Sequence, residues 1–596
     1  MTFTVGIDTG GTFTDSFVSA PDGQAATVKV ETTPHDLTVC FADAIEASAH
    51  AVGLEREAFL RQADIVRFSS TIATNTVVTR SGPKLGLIVS DGSEGDLYGA
   101  AESGRVFDFV APAMVVGIAD PPDPEQVNAV VRRLLEQGAR ILVVSLAGGR
   151  GEREVRDVID RSYPRHYLGA VPVLVSTEIS AVASDAERTA AAVVNAYVHK
   201  RLATSLYRAE DDLRRAGYRH PLLVVTTDGG VTRVAKTRAI STYQSGPTSG
   251  IHAAALLCEA VGIDAALTAD VGGTSTDVGV VRGARPIRRE LIDVGGLPLA
   301  QSSVELVSFG IGGGSIARLV DGKVTVGPDS AGAAPGPACF GLGGREPTPT
   351  DAWLVLGYLD PGYYLGGRKR LDPELARRAL AQLSDDVEEA ALTVKQAAEE
   401  AVAEGIRSRV DPDGLGLVAY GGGGGILMPA VAQRLGIRKT LLSRFSPVFS
   451  AFGVSTLDVR HTYEARVDGE EQEIVERLTA DARRDMRGEG FDPEQMRTDV
   501  ERVDGIVRLS ATCEVPKPPL PRERSQGDAE SASKGTRAIR LEAGRVDAPV
   551  YARENLGAGA RFAGPALVEA TDTTYLVPAG ATCRIDELGT AIVEAD

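Results

Sequence analysis

An eight-residue pattern that occurs twice in the same register constrains this chain more than any other feature. Asp8-Thr-Gly-Gly-Thr-Phe-Thr-Asp15 and Asp270-Val-Gly-Gly-Thr-Ser-Thr-Asp277 agree at six of eight positions. Each copy follows an apolar run (Phe3 to Ile7, Ala265 to Ala269) and leads into another (Phe17-Val18, Val278 to Val281). Strand, Gly-rich turn, strand is the reading that pattern favours. Paired glycines let backbone approach a ligand with no Cβ between them. The free N–H groups of such a turn, helped by Thr hydroxyls, form a cavity suited to phosphate oxygens. An Asp opening each turn makes little sense against bare phosphate. It does fit a phosphate carrying Mg²⁺, which takes carboxylate and water ligands. Two such hairpins would clamp one metal–nucleotide from both sides, with Asp8 and Asp270 toward the metal. Gly10, Gly11, Thr12 and Thr14 of one copy, and Gly272, Gly273, Thr274 and Thr276 of the other, would lie toward phosphate.

At 596 residues the chain has room for several domains. Its 43% hydrophobic and 24% charged content is that of an ordinary globular protein. A net charge of −18 argues against nucleic acid or an anionic membrane as partner, since both recruit basic patches. No apolar run approaches the roughly 20 residues a membrane span needs, and the N-terminus lacks an export-signal pattern. The five cysteines are scattered without a C-x-x-C, which suggests reduced thiols and a cytoplasmic location. The seven histidines are equally dispersed, so a His-built metal site is not expected.

Along the chain, two short strands are expected around Pro21-Asp22-Gly23, and then a helix capped by Asp36 with Leu37, Phe41, Ile45 and Ala49 on one face. Phe68 to Arg80 reads as a strand leading into a hydroxyl-rich helix start. Such a start can bind an anion or simply be capped. Helices at 127–137 and 152–162 alternate with strands at 141–146 and 171–176, indicating an α/β sheet. A long helix runs from Asp185 to about Gly217, carrying Glu187, Arg188 and Asn195 either toward a substrate or as ordinary surface. Ser245, Gly246 and Gly250 open a further helix at 251–261. The segments 326–340 and 347–352 hold too few apolar residues for ordinary core and read as an ordered loop over an active site, with Asp351 as its carboxylate. Asp372-Pro373 starts a helix, 387–409 forms a long one, and 418–426 is a strand, a five-glycine turn and a helix start. A charged helix at 470–486, a Pro- and Ser-rich linker at 514–534 and short strands over 536–596 complete the chain.

The paired loops resemble the two phosphate loops of the actin, Hsp70 and sugar-kinase superfamily. Within it, Val5 to Asp15 is similar to the ATP-binding A subunit of the hydantoinase/oxoprolinase family. The similarity continues in Thr71, Thr74 and Asn75, in Glu187 to Tyr197, in Ser245-Gly-Pro-Thr-Ser-Gly250 and in the segments around Cys339 and Thr348. It ends in Gly564 to Glu569 and Thr573 to Gly580. The resemblance covers about residues 3–460 and 560–594. It implies an α/β fold of two actin/Hsp70-like (ribonuclease H-like) ATPase domains and a small β-rich C-terminal domain, divided near 1–180, 181–465 and 466–596. It also implies ATP and Mg²⁺ as cofactors. Gly312 and Gly313 would complete the nucleotide site, and Gly421, Gly422 and Gly423 would lie against adenosine. Asp277, or else Asp15, would orient or deprotonate a nucleophile.

The activity so implied is phosphorylation of the carbonyl of a cyclic amide (hydantoin, lactam or 5-oxoproline) for ring opening with a B-type partner subunit in a hetero-oligomer. A ketone carboxylase subunit is the alternative, and an Hsp70-like reactivating chaperone is an alternative of another class. An iron–sulfur dehydratase activator would need bridging cysteines that this chain lacks. Where family members carry a Pro-Leu-His after the glycine turn, this chain has Gly425-Ile426-Leu427, so no histidine role carries over.

Overall fold

The computed structural model describes residues 2–595 except 21, 165, 167–169, 468, 504, 521 and 524–526. Both Gly-rich repeats are hairpins: Phe3–Thr9 pairs with Phe13–Ser19, and Ala265–Val271 with Thr276–Arg282. Each hairpin seeds a nine-stranded sheet. In the first, Ala25–Glu31 flanks the hairpin on one side, while Ala63–Ser70 and Leu222–Val225 run parallel to Phe3–Thr9 on the other. In the second, Arg285–Pro286 and Leu306–Phe309 pair with the outer strand, and Gly416–Tyr420 and Lys439–Leu442 extend the parallel side. The parallel strands are buried apolar runs such as Leu222-Leu-Val-Val225, as expected where both faces are covered.

Neither sheet is a continuous piece of chain. Val231–Arg233, Val459–Arg466, Ile506–Cys513 and Arg497–Val503 complete the first, and Ala591–Ala595, Ala581–Ile585 and Arg561–Ala563 complete the second. The C-terminal strands therefore do not all form a body of their own. Only Ser533–Leu541, Gly544–Ala552, Ala566–Ala570 and Thr573–Val577 make a separate four-stranded sheet. The α/β alternation expected before residue 180 is a parallel four-stranded sheet of Val115–Ile118, Leu85–Ser90, Ile141–Val144 and Val173–Val175.

Most helices lie where the sequence pattern puts them. Asp36 caps Leu37–Ala51 by accepting from Thr38 N–H, and Asp372 with Pro373 opens Pro373–Leu380. The long helix Asp185–Arg215 is capped by Ser184, and Ser245–Val261 starts six residues before the expected 251. Pro21, expected in the first β-turn, lies outside the described residues. Within 514–534 regular structure is absent from the described residues until Ser533, yet Val515 and Ala532 are buried and tie the segment to the core. Among the described residues no single helix is long and apolar enough to cross a membrane.

Helices Ser245–Val261 and Phe449–Thr456 join the two sheets through one apolar cluster, in which Phe17 of the first sheet meets Phe445 and Phe452, and which also takes in Phe449 and Val418 and Leu441 of the second. Glycines set how closely the parts approach. A Cβ on Gly6 would lie 2.4 Å from Ala451 C=O, and one on Gly453 would lie 2.0 Å from Ser249 C=O. Both obstacles are backbone, so neither can swing aside. Gly453→Ala is therefore expected to destabilise the protein by about 1–3 kcal/mol through overpacking. Urea unfolding checks this, and an unchanged midpoint would mean the two helices separate without cost.

Candidate functional site

The two Gly-rich turns close with the same hydrogen bond. Gly10 N–H donates to Phe13 C=O (2.9 Å) and Gly272 N–H to Ser275 C=O (3.0 Å). The flanking ladders set Asp8 opposite Asp15 and Asp270 opposite Asp277. None of Gly10, Gly11, Gly272 and Gly273 has a positive φ, so the turns use the missing Cβ and not a left-handed backbone. A Cβ on Gly11 would meet nothing within 4 Å, and one on Gly273 would be 3.7 Å from Thr12 Oγ1. The turns thus face one another across a cavity of about 430 Å³ that all four aspartates line.

Asp8 and Asp270 are seated alike. Asp8 lies over the start of helix Ser245–Val261, where a Cβ on Gly246 would come within 2.7 Å of its Oδ1. Asp270 lies over the turn before helix Gly424–Leu435, where a Cβ on Gly421 would come within 2.4 Å of its Oδ1. Gly421 also has φ +80°, a conformation that favours glycine. A helix N-terminus attracts a carboxylate, yet burial outweighs this. Burial pushes the Asp8 carboxyl up to about 7, with Asp15 adding to the rise and a hydrogen bond from Ser69 opposing it. Asp270 is pushed up to about 8 by burial and then by Asp277, Asp8 and Asp15. Asp8 Oδ1 is buried without a hydrogen-bond partner.

Three family models match in chain order: the hydantoinase/oxoprolinase N-terminal region over residues 4–161, hydantoinase/oxoprolinase over 188–463, and the C-terminal domain over 502–590. The acetophenone carboxylase gamma subunit of Aromatoleum aromaticum is 31% identical, covering 99% of this chain and 96% of that one. This chain belongs to the hydantoinase/oxoprolinase family. Caprolactamase subunit alpha of Pseudomonas jessenii is also 31% identical, over 82% of this chain and 76% of its own. The crystal structure of ATP-dependent caprolactamase from Pseudomonas jessenii matches at a TM-score of 0.84 and 26% identity over 99% of both chains. A nucleotide-free acetone carboxylase structure matches at 0.85 and 24% over 99% of both, which bears on fold alone.

The cavity gathers most of the residues singled out from sequence. Asp8, Gly10, Gly11, Thr12, Asp15, Asp270, Gly272, Gly273, Thr274, Asp277, Gly313, Gly421, Gly422 and Gly423 all line the cavity, as do Thr71, Thr74 and Asn75. The helix that begins at Ile72 is capped by Ser70 Oγ, which accepts from Ile72 N–H at 3.2 Å, and Thr71 makes no capping bond.

Three expected contacts do not reach the cavity. Thr14 Oγ1 is engaged with Thr9 and Thr32, and Thr276 Oγ1 donates to Ile311 C=O at 2.6 Å, so both hydroxyls brace their turns from behind. Gly312 packs on the second turn, where a Cβ would lie 2.7 Å from Gly272 C=O. Alternation along a strand explains both threonines, because each neighbours the Asp that faces in.

Other expectations resolve into structural roles. Asp351 is buried in a capping box with Thr348 and accepts from Ala338 and Cys339 N–H, which fixes the loop instead of facing a ligand. Arg188 is wholly buried, donating to Ser176, Asp185 and Leu146 C=O, and Asn195 accepts from Ile240 N–H. Gly423 is constrained by packing, since its Cβ would meet Val271 Cγ1 at 2.9 Å and Trp353 Cη2 at 3.2 Å, whereas a Cβ on Gly422 would meet nothing within 4 Å.

Lys29 was not singled out from sequence, although the signal existed. A hairpin centred on Asp22 places Lys29 opposite Asp15, and its Nζ lies 2.5 Å from Asp15 Oδ1. The walls added by Trp353, Tyr363, Tyr364 and residues 569–574 left no such local trace. Arg368 ties that wall together by donating to Lys29 C=O at 3.1 Å and pairing with Asp572 at 2.5 Å.

These acids make stability depend on pH. With folded values of about 7 and 8 against an ordinary value near 4, the folded chain retains protons that the unfolded chain releases. Stability present below pH 4 is therefore lost as pH rises through 7 and 8. A loop carboxylate aimed at solvent would leave stability unchanged on removal. For Asp270, buried against Gly421, we expect Asp270→Asn to raise the melting point of the nucleotide-free protein at pH 8. The gain is on the order of 1 kcal/mol, because cavity water screens part of the repulsion. Thermal scans from pH 5 to 8 check this, and parallel curves for parent and variant would rule it out.

Proposed function

We propose that this chain is the nucleotide-handling subunit of an ATP-dependent enzyme that phosphorylates a carbonyl oxygen, built on two actin-like halves around the Gly-rich cavity. The observation that carries the proposal is the pairing of two equivalent turns across one cavity, each with an Asp whose carboxyl is raised by burial, Asp8 with one oxygen unpartnered. The shared sheet order, an antiparallel hairpin followed by parallel strands, supports the two-half reading. Two carboxylates with free lone pairs fit a small hard cation that keeps water and phosphate as its other ligands. Among the described residues no set of three or more His, Cys, Asp or Glu converges on one point, so a metal held by protein alone is not favoured.

In this reading Asp8 and Asp270 hold Mg²⁺, and Gly10 to Thr12 with Gly272 to Thr274 hold the phosphates through backbone N–H and hydroxyl groups. ATP would supply the phosphoryl group, whose transfer calls for positioning and charge neutralisation. Asp15 is committed to Lys29, whereas Asp277 has only hydroxyl partners, Ser308 and Ser275, and burial raises its carboxyl. Asp277 is thus the better placed of the two to take a proton from a nucleophile. Gly422 leaves room for adenosine beside Trp353.

A cyclic amide, opened with a B-type partner subunit, is the substrate class we favour, on the likeness to caprolactamase subunit alpha. The likeness to acetophenone carboxylase gamma subunit over nearly the whole chain keeps ketone activation as the second reading. ATP turnover measured against hydantoins, lactams, 5-oxoproline and ketones with bicarbonate, with and without the partner, separates the two.

The site also supplies its own probe. Trp353 is the only tryptophan in the chain and lines the cavity. Mg²⁺-ATP is expected to change its fluorescence with saturation, and a flat titration would remove adenosine from this wall. Gly422→Val should weaken that binding more than tenfold, about 1.4 kcal/mol, with little change in the apo melting point. Gly423→Val should instead lower the melting point. If both variants bind as the parent does, the adenosine lies elsewhere.

A further inference from the structure

A second, smaller cavity lies at the same edge of the first sheet as the Gly-rich turn. Leu222–Val225 runs parallel to Ala63–Ser70, which runs parallel to Phe3–Thr9, so the turn Thr226 to Gly230 emerges on the side where Asp8 does. The hairpin Arg288–Val294 and Leu297–Val304 docks there, with Val304 N–H donating to Thr227 C=O at 3.1 Å. Ser241 borders this cavity and Gln244 the large one, three residues apart in the chain. Its volume is about 70 Å³. A water needs about 10–15 Å³ in this measure, so the space suits a cluster of roughly five to seven heavy atoms and not a nucleotide.

The charges around it do not balance. Arg238, Arg288 and Arg460 line the cavity together with three carboxylates, Asp228, Glu464 and Glu501, of which Asp228 belongs to none of these arginines tightly. Among the described residues Arg238 and Arg288 donate only to backbone, to Ile179 and Asp228 C=O at 3.3 and 3.1 Å. Arg460 Nη2 donates to Ser510 Oγ at 3.2 Å, but among the described residues its buried Nε has no hydrogen-bond partner, and the distance of 3.9 Å to Asp228 Oδ2 is too long for one. Asp228 already accepts from Thr226 Oγ1 (2.5 Å) and Thr462 Oγ1 (3.0 Å). Two further cations at the rim are satisfied elsewhere, Arg508 by Glu464, Glu290 and Glu501 and Lys236 by Asp485.

The surrounding groups register the surplus. Burial and then Arg288 and Arg460 depress the neighbouring His252 to about 4, so it is neutral, and its Nε2 has no partner. Burial and then Arg460 lower the Arg288 guanidinium. Buried guanidiniums gain most from planar or tetrahedral oxygen acceptors that they can grip with several donors.

We propose that this cavity binds one small oxyanion, of the bicarbonate, phosphate or carboxylate type, held between Arg288 and Arg460. This site goes beyond the nucleotide cavity and does not rest on its assignment. The anion would take the unused Arg460 Nε donor and neutralise the like-charged pair. Its three possible sources share one recognition chemistry and differ in which would bind most strongly.

Crystals soaked in selenate locate the site through anomalous scattering. In solution, the nucleotide-free protein is titrated with bicarbonate, inorganic phosphate and acetate at constant ionic strength, reading the melting point of parent, Arg460→Gln and Arg460→Lys. We expect a selenate peak between Arg288 and Arg460. Anion affinity should be at least tenfold weaker in Arg460→Gln and partly recovered in Arg460→Lys. The Gly-rich turns also attract phosphate, so only the component lost in Arg460→Gln counts. Should Arg460→Gln fail to fold, Arg288→Lys carries the same comparison. A cavity empty of selenate, or equal stabilisation of parent and variants by all three anions, overturns the proposal. The strongest of the three anions identifies the source.

Discussion

Burial of four aspartates in one cavity is the constraint on which the rest of this structure depends. Carboxylates taken from water ionise reluctantly, and each additional one makes the next harder. Backbone ladders keep Asp8 opposite Asp15 and Asp270 opposite Asp277, so the side chains cannot separate without loss of strand pairing. The seam of Phe17, Phe445, Phe449 and Phe452 in turn keeps the two hairpins facing each other. Apolar packing thus supports an electrostatic arrangement that is unfavourable by itself and favourable only to something positive between the turns.

The two hairpins are alike in sequence and unlike in surroundings. Beside the first, Ala25–Glu31 delivers Lys29 to Asp15; beside the second, Leu306–Phe309 delivers Ser308 to Asp277. One acid is therefore neutralised by an ion pair and the other only solvated by hydroxyls. An internal repeat becomes asymmetric through its neighbours, which hold one carboxylate in an ion pair and leave the other with hydroxyl partners.

Glycine serves three separate purposes around the cavity. Gly11 and Gly422 border open space, Gly246 and Gly421 let a carboxylate lie on backbone, and Gly312 and Gly423 admit neighbouring protein. Only the first kind is available to a ligand. A glycine-rich string looks the same for all three purposes, because what differs is the neighbour the missing Cβ would have met.

The sequence by itself determined the hairpins, most helices with their caps, the family, and which carboxylates and turn residues gather, because these follow from local periodicity, turn chemistry and a repeat in register. It also contained Lys29, by counting outward from the turn at Asp22. Tertiary structure alone decided that Thr14 and Thr276 face away from the cavity, that Asp351 and Arg188 are internal fastenings, and that residues 569–574 close the site. It also decided that strands from 459–513 and 561–595 complete the two sheets. The physical reason is range: strand order and cavity walls are set by which distant surfaces bury one another, and contacts between residues hundreds of positions apart leave no periodicity in either segment.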